Sequence, residues 1–189
     1  MDVRCRGYPP YCLSYLVTDA DRPLEASNLI IKHVPMTLYS QRDPRWATTL
    51  IGPSKLIVGR WGCTLTSISM LTSYFTPTIN PGELADIRSP HALKFTKDGL
   101  ILWQSCTFQN FHFVTRGYGR NEPMIREYLK DPNKAVILEV NHCHWVVAVG
   151  RNPITGKYKI ADPWFGDYAN INRYGDNITG SAYFAKHTI

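Results

Sequence analysis

The stretch AVILEVNHCHWVVAVGRNPITGKYKIADP, residues 135–163, holds three apolar segments parted by two short polar breaks. AVILEV (135–140), HWVVAVG (144–150) and KYKIA (157–161) are too short for ordinary helices, rich in Val and Ile, and bounded by Asn, Pro and Gly. Length and β-branched content predict strands. NPITG at 152–156 predicts a turn, and with it an antiparallel hairpin. In such a hairpin the start of one strand lies beside the end of the next, which makes His144 and Asp162 neighbours. A further strand is expected at SAYFAKH, 181–187.

Upstream the period changes. In GRWGCTLTSISMLTSYF (59–75), Leu65, Ile68, Leu71 and Phe75 recur at steps of three and four, with Met70 and Tyr74 widening the stripe. That spacing predicts a helix over 63–74, with Pro77 just beyond. NPGELADI offers a second helix start, with Asn80 as N-cap, Pro81 at N1 and Glu83 at N3. A third helix is expected over 123–131. Helices followed by an antiparallel sheet define an α+β domain over 36–189. Residues 1–35 are read as an N-terminal extension packed on that domain, with a strand expected within NLIIKHV (28–34).

Bulk properties set outer limits. The 189 residues suit one domain, and 44% hydrophobic with 19% charged residues describe an ordinary globular chain. The net charge of +6 comes from scattered Lys and Arg, compatible with plain solubility and with anionic partners such as cell-wall polymers. No nucleic-acid signature is present, so no such partner is expected. No segment has the length of a membrane span, and Pro9 and Pro10 interrupt the N-terminus, so no signal peptide is read. The expectation is synthesis in the cytoplasm, with any outside substrate reached by lysis, by a dedicated machine or as part of a particle. Five cysteines (Cys5, Cys12, Cys63, Cys106, Cys143) leave at least one unpaired, and a Cys5–Cys12 bridge stays open.

Cys63 is the cysteine with a chemical position. At a helix start, orphan N–H groups and the helix dipole favour the thiolate. Taken alone, it also reads as a buried small hydrophobe, and His144 as a satisfied core histidine. Together with Asp162 they offer nucleophile, base and orienting carboxylate. Gln41, in YSQRDPRW, has the amide chemistry of an oxyanion donor, with the Cys63 backbone N–H as the second donor. The rival for His142-Cys143-His144 is a metal site with both histidines on one strand face. It lacks a third and fourth ligand, since no CxxC or HExxH pair occurs, and no metal or other cofactor is expected. Cys106 and Cys143 are read as packing residues, and Trp46, Trp103 and Trp164 as core or cleft wall.

The blocks YSQRDPRW, GRWGCTLTSISMLTSYF, NPGEL, DGLILW, HWVVAVG and ADPWFGD, in that order over residues 36–168, resemble the papain-like cysteine peptidases related to double-glycine leader peptidases. The resemblance implies a papain-like fold, with Cys63 as nucleophile, His144 as general base, Asp162 as orienting carboxylate and Gln41 in the oxyanion hole. Cys143 stands where the family commonly has Gly. No ATP-binding or membrane domain accompanies these blocks, which points to the stand-alone bacterial and phage type. Such a thiol protease would hydrolyse an amide in a leader peptide, an isopeptide or a cell-wall peptide, in association with a phage particle or lysis machinery. The alternative is a non-catalytic structural or binding component that keeps the fold.

Overall fold

The 13-residue helix α2 (Cys63–Phe75) lies across the middle of an antiparallel sheet and is buried along nearly its whole length. Leu65, Ile68, Met70 and Leu71 are all but inaccessible to solvent. Three of its buried hydroxyls are bonded to backbone: Thr72 donates to the Ser69 carbonyl at 2.7 Å, Ser69 to the Ile79 carbonyl, and Ser67 to the Trp145 carbonyl at 3.2 Å. A helix lined with Ser and Thr can approach a sheet closely with most of its hydroxyls bonded, and here Thr66 Oγ1 is buried with no partner. The Ser67 bond ties α2 directly to the strand that begins with His144.

The computed structural model describes residues 30–31, 36–75 and 78–187. In chain order the elements are β1 (Ile30–Ile31), α1 (Val58–Trp61), α2, α3 (Pro81–Ala85), β2 (Phe111–Tyr118), α4 (Glu122–Lys130), β3 (Lys134–Val140), β4 (His144–Arg151), β5 (Tyr158–Asp162), β6 (Asp167–Asn170) and β7 (Ile178–Lys186). The sheet runs β2-β7-β3-β4-β5-β6, every neighbouring pair antiparallel, and β1 pairs with the far end of β4 at Gly150 and Arg151. The fold is α+β, as expected. The expected strand within NLIIKHV is seen as Ile30–Ile31, its other residues and the Cys5–Cys12 question lying outside the described residues.

Both sheet faces are covered. Ile137, Trp145, Val147, Val149, Ala161 and Phe184 pack with α2, while Val136, Leu138, Val146, Ala148 and Ile160 pack with Ile125, Tyr128 and Leu129 of α4. This is why β3 and β4 read as continuous apolar runs rather than alternating ones. The α4 helix therefore lies on the face opposite α2. Its N-cap Asn121 accepts from the Met124 N–H. The predicted cap of α3 is complete: the Asn80 side chain accepts from Glu83 N–H at 3.1 Å, and Glu83 accepts from Asn80 N–H at 2.9 Å.

Strands β2 and β6 and the single turn α1 were not expected from the sequence. β2 (FHFVTRGY) carries three polar or glycine positions in its second half, and β6 is the four-residue edge DYAN, so neither shows a sustained apolar period. The β3–β4 connection is Asn141-His142-Cys143, with Asn141 at φ 53° and His142 at φ 59°. Two successive left-handed residues suit the twist of a tight hairpin. His142 is thus in the turn, and the expected placement of His142 and His144 on one strand face is corrected.

Gly62 joins α1 to α2. A Cβ built there would meet the Val58 carbonyl oxygen at 2.6 Å and Val58 Cα at 3.0 Å, a collision with backbone that only displacement can relieve. Gly62→Ala is expected to lower stability by about 1–3 kcal/mol, read as a drop in the urea unfolding midpoint with little change in slope.

Candidate active site

Three elements deliver the three expected residues to one place. Cys63 is the first residue of α2, His144 the first of β4 and Asp162 the last of β5. Pairing of β4 with β5 sets Val147 opposite Ala161, so the open end of this hairpin brings His144 Nε2 to 2.9 Å from Asp162 Oδ1. The turn that closes it is the expected one: Asn152 Oδ1 accepts from Ile154 N–H and Thr155 N–H, and Gly156 takes the left-handed conformation. All three side chains are buried, Asp162 completely.

A fully buried carboxylate needs donors around it. Asp162 has four. Oδ1 accepts from His144 Nε2 and from Trp164 N–H at 2.9 Å, while Oδ2 accepts from Arg173 at 2.9 Å and Tyr174 hydroxyl at 2.6 Å. Burial pushes its pKa up, but the bonds to His144, Tyr174 and Arg173 outweigh that and hold it at about 2. Arg173 is itself locked by a two-bond fork to Asp167, at 2.7 and 2.9 Å, with the Phe165 ring 4.4 Å from its guanidinium carbon. Neither Arg173 nor Tyr174 was expected to belong to the site. Both sit in a 3₁₀ turn, 171–174, that no periodicity marks.

With Nε2 committed to Asp162, the His144 ring has only Nδ1 left. Nδ1 is buried without a conventional hydrogen-bond partner, and the Cys63 thiol lies against the same ring. Burial is the largest influence on Cys63 and raises its pKa; attraction and hydrogen bonding from His144, the Trp145 N–H and Thr64 outweigh it and bring it below the ordinary 9.0. His144 responds in kind: burial lowers its pKa, and Asp162 and Cys63 together raise it to about 9. The pair therefore favours thiolate and imidazolium, and titrates as a unit. Cys106 is the contrast. It is buried with nothing opposing desolvation, and its pKa is pushed up to about 12.

Gln41 is fully buried between the turn before Cys63 and the end of β5. Its N–H donates to the Pro163 carbonyl at 2.7 Å, and its side-chain Nε2 donates to Val58 and Gly59 carbonyls at 3.4 and 3.3 Å. The amide donors are thus turned onto α1 through bonds at the long end of the range. Its Oε1 is buried with no partner. Ser40 closes the same corner. Its hydroxyl donates to the Trp164 carbonyl at 3.2 Å, and Gly166, at φ 72°, leaves room for its Cβ.

Trp46 is core, while Trp103 and Trp164 are half-buried. Among the described residues, no group of three or more His, Cys, Asp or Glu is placed to hold a metal ion, and no helix is long and apolar enough to cross a membrane. Comparison with protein-family models, with curated proteins and with solved structures found no match to this chain.

Two outcomes follow from the electrostatics. Alkylation of Cys63 by iodoacetamide is expected to rise with pH through a midpoint below the ordinary thiol value, and His144→Ala to move that midpoint above it, because burial, the largest influence, is then opposed only by the bonds from the Trp145 N–H and Thr64; peptide mapping of the labelled protein across pH reads this. Stability has its own window. Asp162 has a folded pKa below its unfolded value of 3.8, so its contribution is complete above that and lost as pH falls through about 2. His144 has a raised folded pKa, so its contribution is complete below 6.5 and lost as pH rises through about 9. Thermal melts are expected to show a maximum between these limits.

Proposed function

We propose that this protein is a papain-like cysteine peptidase or amidase that cleaves a peptide or isopeptide bond through a thioacyl intermediate on Cys63. The observation that carries the reading is the buried chain Cys63–His144–Asp162, in which one imidazole nitrogen is anchored by an ionised carboxylate and the other is left for a thiol at a helix N-terminus. A purely structural domain gains nothing from setting a buried thiol and a buried imidazole against each other at the cost of desolvating both.

In the proposed reaction the Cys63 thiolate attacks the substrate carbonyl carbon, forming a C–S bond and moving the π electrons onto oxygen. Collapse breaks the C–N bond, and His144 imidazolium gives its proton to the departing amine. His144, now neutral, then takes a proton from water as it attacks the thioester; collapse breaks the C–S bond, releases the acid and restores the thiolate–imidazolium pair. Asp162 holds the imidazole in the tautomer and orientation both half-reactions need. The developing oxyanion meets the Cys63 N–H and the first turn of α2, whose leading N–H groups have no intrahelical acceptors. Gln41 supplies the other donor: its long bonds to neutral carbonyls are readily exchanged for a charged acceptor. A cell-wall peptide is the preferred substrate, since the chain carries a net charge of +6 and the wall is anionic.

Wild type incubated with purified peptidoglycan and with a peptide library is expected to yield cleaved products by mass spectrometry. Cys63→Ala should abolish them, and Gln41→Ala should slow turnover by about 10²-fold. No product from wild type on any substrate, with Cys63 labelling no faster than Cys106, would favour the non-catalytic alternative.

A further inference from the structure

We propose that Arg116, stacked against Trp103 and Trp145 beside Cys63, forms a subsite that takes a carboxylate of the substrate peptide; this rests on the peptidase reading above. Trp145 follows His144 in β4, its backbone N–H contacts the Cys63 thiol, and its carbonyl accepts from Ser67 of α2. Its ring packs in the same buried cluster as Cys63. Trp103 packs on it with ring centroids 5.3 Å apart. Arg116 comes from β2 at the other side of the sheet. The register sets Arg116 beside Ala182, and Ala182 beside Ile137, both of which belong to the core under α2, so Arg116 emerges on the face that carries Cys63.

The guanidinium carbon lies 5.3 Å from the Trp103 ring centre, 5.8 Å from Trp145 and 5.2 Å from Tyr118, which is 78% exposed. Aromatic faces engage the flat face of a guanidinium and leave its in-plane N–H fork open. No acidic side chain among the described residues pairs with Arg116, although Arg45, Arg88, Arg120, Arg151 and Arg173 each have one. Glu139, paired with Trp145 across the β3–β4 ladder, folds over Gly180 and lies within bonding range of Thr179. An exposed arginine held on aromatic rings and without its own counter-charge matches a carboxylate, which accepts two parallel N–H bonds. In a peptide that group is an acidic side chain or a free α-carboxylate near the scissile amide.

Iodoacetyl peptides test this without a known substrate, because the reactive carbon reports on Cys63 and the tail reports on Arg116. N-iodoacetyl-diglycine is compared with its C-terminal amide, and N-iodoacetyl-glycyl-glutamate amide with the glutamine analogue, so that terminal and side-chain carboxylates are separated. Each alkylation rate at Cys63 is divided by that of iodoacetamide in the same protein, which cancels changes in thiol reactivity. At least one acid-to-amide ratio is expected to be about tenfold higher in wild type than in Arg116→Met, with Arg116→Lys between them. Ratios equal in wild type and Arg116→Met for both pairs would overturn the subsite. Iodoacetamide labelling of Cys63 that is slow and unchanged in His144→Ala would instead overturn the peptidase reading, and the subsite with it.

Discussion

A carboxylate with no access to solvent sits at the end of β5, and much of the surrounding chain is arranged to keep it charged. An ion of that kind is tolerated only where the protein replaces its water shell. For Asp162 the replacement comes from β4 through His144, from the following loop through the Trp164 N–H, and from the 171–174 turn through Arg173 and Tyr174. Arg173 in turn needs Asp167, which opens β6. The edge strand and the 3₁₀ turn thus form around Asp162, although neither is marked by apolar periodicity.

The same carboxylate governs the imidazole and, through it, the thiol. Desolvation acts against the thiolate of Cys63 and against the imidazolium of His144, so burial by itself would leave both neutral. Asp162 reverses this for His144, and His144 reverses it for Cys63. Cys106 shows what burial does when no such partner stands by. Position also matters: α2 can bring its first residue to the ring because Gly62 clears the Val58 backbone and Ser67 pins the helix to Trp145.

Much of this was legible in the residues. The hairpin of β4 and β5 followed from two apolar runs and NPITG, and it alone made His144 and Asp162 neighbours. The α3 cap was readable because Asn80, Pro81 and Glu83 act within one turn. The helix at Cys63 was readable because Leu65, Ile68, Leu71 and Phe75 repeat at helical spacing. By contrast, β2 is held by pairing with β7, far along the chain (Phe111 with Lys186, Tyr118 with Gly180), and its own pattern is interrupted by Thr115, Arg116 and Gly117.

Local interactions, those within a turn or a hairpin, were therefore determined by the sequence by itself: strands β3, β4 and β5, the helix start at Cys63, and the meeting of His144 with Asp162. The tertiary structure decided what depends on distant segments sharing one buried volume. It placed α4 on the far face, turned the Gln41 donors onto α1, brought Arg173 and Tyr174 to Asp162, and laid Arg116 on Trp103 and Trp145. The physical reason is one of range. Backbone propensity and side-chain period act over a few residues, whereas the solvation of a buried charge is supplied by whichever groups the completed fold brings within about 3 Å.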